Sequence, residues 1–134
     1  MSKKIIIDLS FITTNYNSGV AKYAYRFIEY LTSHNLECDF SLLVNTVAYN
    51  HFKSVYPQFE IYELGKQWMD KLGYLKKIAF AFEFRKVVNN IDSDLIFCPW
   101  TNPINALSTK QKKIATIHDL QIRIDSKNYK QRDV

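Results

Sequence analysis

Glycine, proline and cysteine are all scarce: three, three and two in a chain of 134 residues. So few glycines and prolines argue against disordered or low-complexity sequence. Cys38 and Cys98 stand far apart, each inside an apolar run. Without a C-x-x-C pair, a structural zinc site has no support, and both read as buried free thiols of a reducing compartment. No run approaches the ~18 apolar residues of a membrane span. Only three isoleucines follow Met1–Lys4 before Asp8, too few for a signal-peptide core, so a cytoplasmic protein is expected. The charge excess of +5 is too diffuse to argue for nucleic acid, and RNA-binding aromatic signatures are missing, so no nucleic-acid partner is expected.

What is present is apolar and aromatic. Hydrophobic residues make up 47%, with nine Tyr, nine Phe and two Trp, ample for the core of one domain. Residues 4–9 read as a first strand around Ile5-Ile6-Ile7, followed by a polar loop over 10–18. From Gly19, apolar residues recur at Val20, Tyr23, Ala24, Phe27, Ile28 and Leu31, the spacing of an amphipathic helix capped by Ser18 or Asn17. Strands follow at 38–45, 59–64, 94–98 and 114–117. Between them lie a short helix over 46–56 and a long segment over 68–91, helical after Gly73, with Leu75, Ile78, Ala79, Phe82, Val87, Val88 and Ile91 as its apolar positions. Alternating strands and helices predict an α/β fold. Its form is a Rossmann-like parallel sheet of five or more strands, order 3-2-1-4-5, with helices on both faces.

Ligands of such sheets bind outside the carboxyl ends of the strands, at the switch in strand order. Three loops should meet there: 10–18, 99–102, and His118-Asp119 after the apolar run Ile114-Ala115-Thr116-Ile117. That run predicts a strand buried on both faces, with His118 and Asp119 the first residues past its end. His118 then offers a base, an acid or a donor to a sugar hydroxyl. His34 and His51 have no such context and read as surface residues. Gly19 at a helix start would let a ligand approach backbone N–H groups where the dipole favours anions. Neither G-x-G-x-x-G nor G-x-x-x-x-G-K-[ST] occurs, which disfavours nicotinamide and P-loop nucleotide binding. Asp92-Ser93-Asp94 has the D-x-D form of some metal sites, but it precedes the fourth strand and belongs to the wrong end of the sheet. Lys71, Lys76, Lys77, Arg85 and Lys86 accompany Trp68, Tyr74, Phe80 and Phe84 along the long helix. A solvated basic face with the aromatics in the core is favoured there over contact with an anionic membrane.

Three stretches carry a resemblance. Gly19-Val20-Ala21-Lys22-Tyr23, Asp94-Leu95-Ile96-Phe97-Cys98-Pro99 and Ile117-His118-Asp119-Leu120-Gln121 are similar, in order and spacing, to motifs of the amino-terminal domain of GT-B glycosyltransferases of the large retaining group called family 4. Ala21 stands where many relatives have a second glycine. The resemblance implies retaining transfer of a sugar from a nucleotide-sugar donor to a sugar or lipid-linked acceptor, in surface polysaccharide biosynthesis, without a metal or other cofactor. It implies that Asn17, Ser18, Gly19 and Val20 face the donor diphosphate, that His118 and Asp119 serve catalysis, and that Trp100, Thr101 and Asn102 line the acceptor pocket. It further implies a carboxyl-terminal, nucleotide-gripping domain for which 134 residues leave no room. Residues 1–134 are therefore expected to be one inactive half of a truncated enzyme, self-associating through the exposed cleft and touching the inner membrane face peripherally if at all. The rival is a non-catalytic Rossmann-like module that pairs with a separate chain. A receiver-like signalling domain fails, because Asp8 stands alone and Glu63 and His118 occupy the places of the required aspartate and lysine.

Overall fold

The computed structural model describes residues 2–12, 18–65, 67–100 and 109–117, with the backbone alone at 67, 68 and 70. Five strands, β1 (Lys3–Leu9), β2 (Cys38–Asn45), β3 (Glu60–Leu64), β4 (Leu95–Cys98) and β5 (Lys112–Ala115), form one parallel sheet in the order β3-β2-β1-β4-β5. Among the described residues three α-helices connect the first four strands in turn: α1 (Gly19–Ser33), α2 (Thr46–Val55) and α3 (Lys76–Asn90). A 3-10 segment, Gln67–Leu75, leads into α3. At Gly73 the backbone has φ 53° and ψ −122°, a conformation open essentially to glycine alone, and this turns the chain into the helix.

Local chemistry sets the helix starts. The Ser18 hydroxyl accepts the N–H of Ala21 at 3.1 Å and caps α1. The Asn45 amide oxygen accepts the N–H of Ala48 at 2.9 Å and caps α2. Helix α3 has no side-chain cap at its start, but its end is closed from outside: the Gln111 amide donates to the carbonyls of Val88 (2.9 Å) and Ile91 (3.2 Å).

The strand period sorts the core into two layers. Ile7, Leu9, Leu42 and Val44 pack under α1 and α2, against Ala24, Ile28, Leu31, Ala48 and Phe52. Ile6, Leu43, Leu64, Ile96 and Cys98 pack under α3, against Phe84, Val88 and Ile91. Phe52 and Phe84, both wholly buried, are the keystones of the two layers; truncating either to alanine should cost ~3–5 kcal/mol. At the amino ends, Asp94 accepts the backbone N–H of Lys4 at 3.0 Å and Asp92 pairs with the Lys4 ammonium. The Asp92-Ser93-Asp94 run thus fastens β4 to β1 at the end of the sheet away from the switch crevice.

Three expectations need correction. The last strand is Lys112–Ala115, two residues earlier than the apolar run suggests, and it is largely exposed rather than buried on both faces. Ile114 is 54% and Ile117 63% exposed. Strand membership is decided here by hydrogen bonding to β4, which places Lys112 beside Leu95 and Ala115 beside Cys98, not by the apolar run. Cys98 is buried as expected, but Cys38, at the opposite end of the sheet, is only half-buried; neither forms a disulfide. On α3, Phe84 and Val88 face the core, whereas Leu75, Ile78 and Phe82 are exposed.

Candidate functional site

Helices α1 and α2 lie on one face of the sheet and α3 on the other, so the connections diverge between β1 and β4. The crevice opens at the carboxyl ends of those two strands. Beyond β1 the chain makes a tight turn, the N–H of Ile12 donating to the carbonyl of Leu9 at 3.0 Å. Two side chains hold that turn. The Asp8 carboxylate accepts the backbone N–H (3.0 Å) and the hydroxyl (2.6 Å) of Ser10. From the end of β2, the Asn45 amide donates to the carbonyls of Ser10 (3.0 Å) and Ile12. Asn45 therefore does two jobs at once, capping α2 with its oxygen and pinning the β1 loop with its nitrogen.

The loop after β4 joins this one through an aromatic contact. Buried Pro99 directs the chain into Trp100, whose ring lies 5.3 Å from that of Phe11 at an interplanar angle of 59°. Trp100 remains 40% exposed, an aromatic surface at the mouth of the crevice. Ser18 and Gly19 at the start of α1 are exposed and Val20 is half-buried. Among the described residues, a Cβ added at Gly19 would meet nothing within 4 Å, and the residue does not adopt a positive φ. Neither the packing of the described residues nor backbone strain requires a glycine there.

Of the residues singled out in the sequence, Ser18, Gly19, Val20 and Trp100 are at the carboxyl end of the sheet, and the loops after β1 and β4 converge. Asn17, Thr101, Asn102, His118 and Asp119 lie outside the described residues. Since β5 ends at Ala115, Thr116 and Ile117 intervene between the strand and the histidine; the N–H of Thr116 donates to the carbonyl of Cys98 at 2.9 Å, carrying the chain on beside β4. Among the described residues no cluster of three or more His, Cys, Asp or Glu side chains could hold a metal ion, and no helix is long and apolar enough to cross a membrane. His34 and His51 are exposed; His34 stacks on Tyr30 and His51 meets the edge of Phe52.

Sequence reasoning weighed Asp8 only as a lone acid that fails the receiver-like pattern, not as a group at this end of the sheet. Asp8 is only 2% exposed, on the α3 side of β1, and Cys98 and Lys113 occupy the same face on β4 and β5. Burial lowers the Lys113 pKa from its ordinary value, with Cys98 and Asp8 acting in the opposite sense. A carboxylate inside an apolar strand is costly unless hydrogen-bonded, and that was the available signal. No family model matches the chain, and no curated protein or solved structure matches it significantly. What stands is a five-stranded, all-parallel, Rossmann-like α/β sheet with a switch-point crevice, and no family is identified.

Proposed function

We propose that this chain is the amino-terminal, acceptor-side domain of a retaining, two-domain glycosyltransferase that uses a nucleotide-sugar donor. The observation that carries the proposal is the open start of α1. An exposed glycine that the packing of the described residues does not require sits where the first turn offers N–H donors and a positive dipole end to a diphosphate. The half-exposed Trp100, held by Phe11 at the same end of the sheet, suits the apolar face of a sugar acceptor. In this reading Asn17, Ser18, Gly19 and Val20 approach the diphosphate, and Trp100, Thr101 and Asn102 line the acceptor side. His118 and Asp119 contact the transferred sugar, as the sequence resemblance implies.

Catalysis would need a second wall. Backbone donors exposed to water compensate little for the entropy of binding a ligand, and stabilising the leaving diphosphate is usually the largest catalytic term. The 134-residue chain alone should therefore bind nucleotide sugars weakly and transfer nothing. The test is calorimetric titration of the chain with a panel of nucleotide sugars, and nucleoside-diphosphate release by a form joined to a carboxyl-terminal nucleotide-binding domain. Micromolar binding or transfer by the chain alone would overturn the half-enzyme reading. Absence of release from the joined form with every donor would overturn the glycosyltransferase reading itself.

A further inference from the structure

We propose that the outward face of α3 docks on an anionic lipid surface. The inner face of this helix is already satisfied by the core, with Phe84 and Val88 wholly buried. Yet large apolar side chains are also exposed on the helix and at the end of the 3-10 segment that leads into it. Tyr74 is fully exposed, Leu75 is mostly so, and Ile78 and Phe82 are 55% and 69% exposed. Tyr74, Ile78 and Phe82 are spaced four residues apart, and the last two are neighbours along one stripe of the helix. Single exposed apolar residues need no explanation, but a contiguous row marks an interaction surface.

The charges around the row select the partner. Lys71, Lys76, Lys77, Arg85 and Lys86 are all exposed, and Glu83 is the only acidic residue between positions 71 and 86. Arg85 and Lys86, three and four positions beyond Phe82, flank it on either side. A second copy docking through the same patch would set these basic residues against one another, which is repulsive. A protein partner in general is disfavoured because lysine is depleted from interface cores. A lipid headgroup layer accepts both features. Phe82, Ile78 and Tyr74 enter the acyl boundary while the lysine and arginine stems extend along it and place their charges on phosphates. The helix starts at the carboxyl end of the sheet, where Phe80 packs near Gly65 just after β3, so its exposed apolar row begins at the same end of the sheet as the switch crevice. The inference does not depend on the sugar-transfer reading, and its failure would leave that reading untouched.

The test is cosedimentation of the 134-residue chain with vesicles of phosphatidylcholine alone or with phosphatidylglycerol, at low and high salt. Binding is expected only to the anionic vesicles, with partial release by salt. The double variant Ile78→Ser/Phe82→Ser, at exposed positions and with unchanged thermal unfolding, should bind roughly tenfold more weakly or worse. A Phe82→Trp variant should shift its emission to the blue on adding anionic vesicles. No binding at low salt would overturn the proposal. So would undiminished binding of the double serine variant, or an unshifted tryptophan, because either would reduce the patch to charge alone.

Discussion

Asn45 is the residue whose replacement separates a simple helix cap from a joint between elements. Its oxygen caps α2 and its nitrogen donates to the carbonyls of Ser10 and Ile12 in the loop after β1. Losing a cap costs ~0.5–2 kcal/mol, and each of the two further hydrogen bonds contributes ~1 kcal/mol. Asn45→Ala should therefore destabilise by about 2.5–4 kcal/mol, or roughly 1–2 M in urea midpoint for an m-value of ~2 kcal/mol/M. Asparagine, aspartate and serine are close to equivalent as caps. If capping were the whole role, Asn45→Asp and Asn45→Ser would be nearly neutral. The joint predicts otherwise. Serine keeps the cap but loses both donors, at about 1–2 kcal/mol. Aspartate also keeps the cap, and its charge suits the helix dipole, but it turns an oxygen toward two carbonyl oxygens and should be at least as destabilising as alanine. Urea unfolding followed by circular dichroism measures the series. An aspartate variant within ~0.5 kcal/mol of the parent, the scatter of neutral surface substitutions, would refute the joint.

Gly65 and Gly19 should behave oppositely when replaced by alanine. Gly65 has φ 92° and its carbonyl accepts the Thr46 hydroxyl at 3.0 Å, so Gly65→Ala should lose ~1–3 kcal/mol by the strain of a positive φ. Gly19→Ala should leave the unfolding midpoint unchanged or slightly raised, because the added methyl meets none of the described residues. Burial first, and then the hydrogen bond with Glu60, push the Tyr62 phenol up to about 12. Its folded value lies above the unfolded value of ~10, so the associated stability is fully present below pH ~10 and is lost as pH rises toward 12. Unfolding midpoints measured across that window should fall for the parent and fall less for Tyr62→Phe, with partial exposure keeping the difference modest.

Legibility in the sequence followed how local each determinant is. Strand β2 has the bounds that its alternating apolar residues suggest, and Ser18 caps α1, because a strand period and a cap are settled by a few adjacent residues. Strand order followed from alternation of elements and right-handed crossovers, which act on any chain of this pattern. Helix α3 was harder. Phe80, Phe82, Phe84 and Ile78 place apolar groups nearly all round it, so periodicity does not say which of them the sheet will cover. The answer comes from β1, β2 and β4, whose Ile6, Leu43 and Ile96 receive Phe84 and Val88 and leave Phe82 outside.

The site divides along the same line. A glycine at a helix start and a tryptophan after a strand-ending proline can be picked out of the sequence one by one. The parts that hold them cannot, because each depends on a partner distant in the chain. Asn45 reaches back thirty-five residues to the Ser10 carbonyl, and Trp100 finds Phe11 only because β4 lies beside β1. Asp8 shows the limit most sharply. In sequence it merely ends an isoleucine run; in the fold it is a buried carboxylate, one oxygen of which accepts from the Ser10 N–H and hydroxyl, and it acts electrostatically on Lys113, a residue more than a hundred positions away. A strand-end acid inside an apolar run therefore identifies a polar joint at the switch point before the residues that complete it can be named.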